Sequence, residues 1–161
     1  MITLIAAIAK NRAIGKSGQL IWTDKDDMAR FKRLTTGKIV IMGRKTWDSI
    51  PESYRPLPHR QNVIITRNIS LQIPDGVERL TSITEALTRY KNDDIMVIGG
   101  AEIYAGTIDH ADCLELTEIA KEIPGDTFFP LLHPSTWKET ARINKDGFSF
   151  VTYHKVDVCT S

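Results

Sequence analysis

Short apolar runs alternate along the chain with stretches in which apolar positions recur every three or four residues. Runs over residues 2–9, 38–42, 61–66, 77–80, 94–98, 113–119, 137–143 and 148–156 predict strands. Helical spacing predicts helices over 24–35, 44–50, 82–90 and 101–108. IVIM before Gly43 and IMVI before Gly99 are almost continuously apolar, which suits central strands of a parallel sheet covered on both faces. The last two runs are joined by Asn144-Lys145-Asp146-Gly147, whose Asp-Gly pair is a hairpin signal. The pattern predicts an α/β fold: a mixed, mostly parallel sheet of about eight strands, about four helices, and an antiparallel C-terminal hairpin.

Length and charge narrow the picture. A chain of 161 residues suits a single domain spanning 1–161, enough to bury roughly 70% of its unfolded surface. No repeat, low-complexity tract or Gly/Ser linker divides it. A net charge of +1 leaves no basic surplus for a phosphate backbone, so no nucleic-acid partner is expected. Cys113 and Cys159 form neither a disulfide framework nor a metal knuckle, and fit a reducing cytoplasm. The opening MITLIAAIAK is too short to cross a bilayer and lacks the basic start of a signal peptide, so it reads as a strand and no membrane partner is expected. His59, His110, His133 and His154 are isolated, and neither H-E-x-x-H nor G-x-S-x-G occurs. No metal site or nucleophile elbow follows.

Two strands run directly into glycine and then helix, at Gly43-Arg44-Lys45-Thr46 and Gly99-Gly100-Ala101. Glycine there lets a ligand approach the backbone, and the helix start offers free N–H groups to an anion. Either glycine alone could simply make a tight turn; two such turns favour a dinucleotide. Neither is G-x-G-x-x-G or a P-loop, and Gly15 and Gly18 have the wrong spacing for the former.

The third feature is WTDKDDMARFK, with three carboxylates in four positions. On a helix Asp27 shares a face with Met28, Phe31 and Leu34, while Asp26, Arg30 and Arg33 share the opposite one. Thr23 or Asp24 can cap the helix, and first-turn acids favour its dipole, which would suffice to explain Asp27 too. Its company, Trp22 before it and Phe31 one turn on, argues instead for a desolvated carboxylate with a raised pKa, suited to acid chemistry or to gripping a heterocycle.

Taken together, ITLIAAIAKNRAIG, the Trp22–Lys32 stretch, VIMGRKTWDSI, RPLPHR, IMVIGGAEIY and PGDTFFP resemble the dihydrofolate reductase family, in the family's order and over essentially the whole chain. The resemblance implies that family's three-layer fold and reduction of 7,8-dihydrofolate to tetrahydrofolate, with hydride passing from NADPH to pterin C6 and a proton reaching N5. It implies Asp27 at the pterin, hydrogen-bonded by Thr117, and Trp22 holding an ordered water. Ile5, Ala7, Met28, Phe31, Lys32, Ile50 and Leu57 would contact the substrate, and Arg60 its glutamyl carboxylate through a bidentate fork. Gly43, Arg44, Lys45, Thr46, Gly99, Gly100, Ala101, Glu102, Ile103 and Tyr104 would form the phosphate-facing turns for NADPH. The Gly99-Gly100 bond would be cis. Ala7 and Ile14 would also bind the cofactor and Ile98 would lie near the nicotinamide, while Arg44, Thr66 and Arg67 would select the 2′-phosphate. Antifolates would be ligands, and the protein a monomer.

The chain departs from the family pattern at several points. Ile21 replaces the usual proline before the tryptophan, and Asp24-Lys25 replaces the Leu-Pro that opens the substrate helix. Losing proline leaves the loop over residues 9–23 more backbone freedom, so looser closure over the nicotinamide is expected. Glu102 sits where some members carry a basic residue, and residues 51–55 lengthen the connection before RPLPHR. The rival expectations are a pyrimidine reductase of riboflavin synthesis, against which Asp27 and Arg60 argue, and a noncatalytic NADPH-binding module.

Overall fold

Alternate residues along the central strands face opposite sides of one sheet, and that division builds the molecule. The computed structural model describes residues 1–157. Its main sheet is ordered β10-β11-β8-β1-β7-β4-β5-β6. These strands are β1 (Ile2–Ile8), β4 (Ile39–Gly43), β5 (Gln61–Ile65), β6 (Glu78–Leu80), β7 (Ile95–Val97), β8 (Cys113–Ile119), β10 (Trp137–Asn144) and β11 (Phe148–Lys155). Pairing is parallel from β8 to β6; β11 runs antiparallel to both β8 and β10. Four helices, α1 (Lys25–Thr35), α2 (Arg44–Ser49), α3 (Ile83–Arg89) and α4 (Ala101–Thr107), complete the three-layer α/β arrangement that the hydrophobic pattern predicts.

Two apolar clusters form, one per sheet face. Leu4, Ile41, Val63, Ile95, Val97, Leu114 and Leu116 join Ala86 of α3 and Ile103 and Tyr104 of α4. Ile5, Val40, Met42, Ile64 and Met96 pack with Trp47 of α2 and Phe31 and Leu34 of α1. Adjacent residues of β1, β4, β5 and β7 thus enter different clusters, as the two-residue period requires.

A second sheet, β3-β2-β9, is a departure from the predicted elements: β2 (Ala13–Lys16), β3 (Gln19–Leu20) and β9 (Thr127–Phe128) lie in segments that carry no long apolar run. Ser17 (φ 51°) and Gly18 (φ 77°) close the β2–β3 hairpin in the left-handed region that a type I′ turn needs. The loop after β1 is thereby anchored to the 123–129 segment: Ser17 N–H donates to Asp126 Oδ2 (2.9 Å) and Asp126 N–H to the Gly15 carbonyl (3.0 Å). Cys113 is buried; Cys159 lies outside the described residues. No helix among the described residues is long and apolar enough to cross a membrane.

Candidate active site

The three acids of WTDKDDMARFK separate by role. Asp24 caps α1, accepting from the amides of Asp26 (2.8 Å) and Asp27 (3.2 Å), so a residue that replaces the family's Leu-Pro supplies the helix start by another means. Asp26 is exposed. Asp27 is half-buried, and its carboxylate accepts the hydroxyl of Thr117, which is 1% exposed on β8. Burial pushes the Asp27 carboxyl above its ordinary value; the Thr117 hydrogen bond and the Arg30 cation pull it part of the way back, while Asp24 adds to the rise.

Around this pair the sheet assembles residues distant in sequence. Ala7 of β1 is the register partner of Thr117. Ile5 is buried, and Phe31, Ile50, Leu57 and Ile98 are half-buried against the same cluster. Trp22 is half-buried, its ring edge-on to Phe148 at 5.1 Å. Lys32 is exposed. Met28 is 64% exposed, so it can act as a wall only where a ligand covers it; one residue along the helix from Asp27, it is turned by about 100°. Arg60 is half-buried and tied to the end of α1, donating to Thr35 Oγ1 at 3.0 Å and to the Pro58 carbonyl at 2.8 Å, with burial lowering its pKa.

Two strand spacings away from β8, about 10 Å, β7 leads into Ile98 and the Gly99-Gly100 bond, which is cis as expected. β4 pairs in parallel with β7, so the two glycine turns are neighbours, and Gly43 N–H donates to the Gly99 carbonyl at 2.9 Å. A Cβ on Gly43 would meet Ile103 Cγ1 at 3.1 Å, one on Gly99 (φ 121°) the Tyr104 hydroxyl at 3.2 Å, and one on Gly100 Thr46 Oγ1 at 3.4 Å. Side chains there would crowd both turns, whereas glycine leaves the main chain open to a phosphate-bearing ligand. The donors around these turns suit such a group: Arg44, Lys45 and Arg67 are exposed, and Thr46 and Thr66 half-buried.

Ile103, Tyr104 and Ile14 are further residues expected at the cofactor. Ile103 and Tyr104 are buried beneath the Gly99-Gly100 turn; the Tyr104 hydroxyl donates to the Ile5 carbonyl at 2.6 Å, so this residue braces the turn from the core side. Ile14 packs against the first cluster. Arg44 pairs with Asp48 at 2.9 Å. Ala101 is half-buried and Glu102 exposed at the start of α4. The segment before RPLPHR folds as one 3-10 turn (Glu52–Tyr54), after which Arg55 lies over the Trp47 ring at 5.1 Å and precedes a cis proline, Pro56.

Two buried polar residues escape the periodicity. Asn62 is 2% exposed on β5; it accepts from Leu57 N–H (3.0 Å) and donates to the carbonyls of Leu57 (2.9 Å) and Arg60 (3.1 Å), shaping the loop that presents both. Its signal in the sequence is a polar residue inside an apolar strand. Arg30, expected on the solvent face of α1, is instead 7% exposed and ion-paired with Glu115 of β8. Apolar spacing could not place it inside, because the partner that permits burial is 85 residues away.

The fold and these residues define an α/β protein that holds a half-buried carboxylate two strand spacings from a pair of neighbouring glycine turns. The dihydrofolate reductase family profile matches residues 1–155. The chain is 40% identical over 160 residues to dihydrofolate reductase HdrB of Haloferax volcanii, covering 94% of this chain and 82% of that one. It is 39% identical over 158 residues to a dihydrofolate reductase of Neisseria meningitidis, covering 95% and 96%. A solved structure of the Enterococcus faecalis dihydrofolate reductase, complexed with NADP(H) and RAB-propyl, superposes with a TM-score of 0.87 at 30% identity, over 98% of this chain and 97% of that one. The chain belongs to the dihydrofolate reductase family of NADPH-dependent oxidoreductases.

Proposed function

We propose that this protein reduces 7,8-dihydrofolate to 5,6,7,8-tetrahydrofolate, with Asp27 binding the pterin and assisting protonation at N5. The observation that carries this reading is a half-buried carboxylate held by one hydroxyl and, among the described residues, in no ion pair. Its acceptor capacity beyond Thr117 suits two parallel donors, the ring N–H and exocyclic amine of a pterin, which would fix the ring face presented for reduction. Its charge favours a positive N5, and because its hydrogen bonds point to the other side of the ring, the proton travels through water held near Trp22.

Ile5, Ala7, Met28, Phe31, Lys32, Ile50 and Leu57 contact the substrate, and Arg60 takes its carboxylate. Bound NADPH supplies the hydride. Gly43, Arg44, Lys45, Thr46, Gly99, Gly100, Ala101 and Glu102 hold its phosphates, with Arg44, Thr66 and Arg67 at the 2′-phosphate. Ala7, Ile14 and Ile98 border the nicotinamide; Ile103 and Tyr104 brace the glycine turn. The match of dihydrofolate reductase relatives over nearly the whole chain supports a single domain, and the reading extends to a cytoplasmic monomer that takes dihydrofolate and antifolates as ligands.

The test is NADPH oxidation with dihydrofolate across pH in the natural chain and Asp27→Asn. We expect the variant to lose about 10²–10⁴-fold at neutral pH and to recover in acid, where substrate arrives protonated. NADPH binding without dihydrofolate turnover in either protein would instead indicate a noncatalytic module.

A further inference from the structure

Helix α1 meets β8 in two rungs. Thr117 donates to Asp27 in the first; in the second Arg30 Nη2 donates to Glu115 Oε2 at 2.5 Å. Three residues along the helix and two along the strand separate the rungs, so both stand on one face of each element. The second rung is fully built: the Arg30 guanidinium lies 4.7 Å over the Phe150 ring, and Thr152 Oγ1 donates to the same Glu115 oxygen at 2.8 Å. Phe150 in turn is the register partner of Thr117.

A buried ion pair gains little stability over an apolar pair of the same shape, because desolvation offsets the attraction. Clipping a helix to a strand therefore does not by itself call for these two charges. We propose that Arg30 and Glu115 form a positioning pair that holds α1 on β8, with Glu115 balancing the Arg30 charge that bears on Asp27 and so setting the pH at which that carboxylate titrates. This rests on Asp27 being the pterin-binding carboxylate.

The groups that bear on Asp27 can be named. On its own helix they are Asp24, whose carboxylate caps α1, and Arg30, on which Arg33 acts in turn. From β8 Thr117 donates to it, while Glu115 and Cys113 act on Arg30; burial pushes the Cys113 thiol up to about 12 and so keeps it neutral. β11 contributes Phe150 and Thr152, both uncharged. The pair thus allows single substitutions of opposite sign to change the charge near Asp27 without touching Asp27, Thr117 or the Asp24 cap.

The experiment is a titration of the Asp27 carboxyl carbon by NMR in the free protein, assigned by its loss in Asp27→Asn. Glu115→Gln leaves a bare cation and should lower the midpoint; Arg30→Met leaves a bare anion and should raise it, each by about one pH unit. The double variant should return it to the natural value, and Arg30→Lys should hold it there even if stability falls. The pH midpoint of dihydrofolate reduction should follow the same order. Single variants that shift the midpoint in the same direction, or not at all, overturn the proposal and leave only a clip. If Arg30→Met does not fold, Glu115→Gln and Arg30→Lys decide the matter by the same criterion. Opposite shifts combined with neutral-pH activity in Asp27→Asn would support the charge pair while removing the pterin reading; an inactive Asp27→Asn with unmoved midpoints would do the reverse.

Discussion

At the scale of the residue, Asp27 is held where its charge costs stability. Burial raises its folded pKa above the ordinary 3.8, so the folded state binds this proton more tightly than the unfolded state does. The cost is therefore fully present above the folded pKa and is relieved as pH falls through it toward 3.8. Asp27→Asn, which keeps an acceptor for Thr117, is expected to raise the urea midpoint of the free protein at pH 7, with the advantage shrinking in acid. A midpoint unchanged at pH 7 and insensitive to pH would show that the carboxylate is not desolvated. Function and stability oppose each other at this one side chain, and the same substitution should show both.

At the scale of the element, the RPLPHR loop and the loop after β1 are shaped by single residues. Asn62 satisfies three main-chain groups of Leu57 and Arg60; Asn62→Ala leaves them unpaired in a buried setting and should destabilise by about 1–3 kcal/mol. Its KM for dihydrofolate should rise while NADPH affinity stays, and equal loss for both ligands would contradict this local role. The loop after β1 is anchored through β2, β3 and Asp126 but lacks proline at position 21. Restoring it by Ile21→Pro removes about 0.4–1 kcal/mol of backbone freedom, so turnover and diaminopyrimidine inhibition should change two- to fivefold by that measure. Identical rates and inhibition would show that the tertiary anchors already hold the loop. The β2–β3 hairpin was illegible beforehand because its turn is Ser17-Gly18, not Asn-Gly, and its strands pair through main chain with little apolar content.

At the scale of the whole molecule, the parallel order of the sheet brings β4 and β7 side by side and so joins two glycine turns into one surface. NADPH at about 100 times its Kd should add about 2.7 kcal/mol to the unfolding free energy. Gly99→Ala forces a side chain at φ 121° against the Tyr104 ring, and should abolish most of that ligand-dependent gain as well as lower the ligand-free midpoint. A full gain in the variant would place the cofactor elsewhere.

The sequence by itself determined every element of the main sheet, all four helices, the C-terminal hairpin and the two glycine turns, because each leaves a local record in apolar period or turn chemistry. The proposal that Asp27, Phe31, Gly43 and Gly99 serve one site came from family resemblance carried by ordered motifs. Only the tertiary structure decided which acid caps and which is free, that Arg30 turns inward, and that Asn62 holds a loop. Each of those outcomes depends on a partner on another strand, and a polar side chain goes inside only when such a partner meets it. Local spacing records the face a residue occupies; the contact that makes burial tolerable is settled by the assembled sheet.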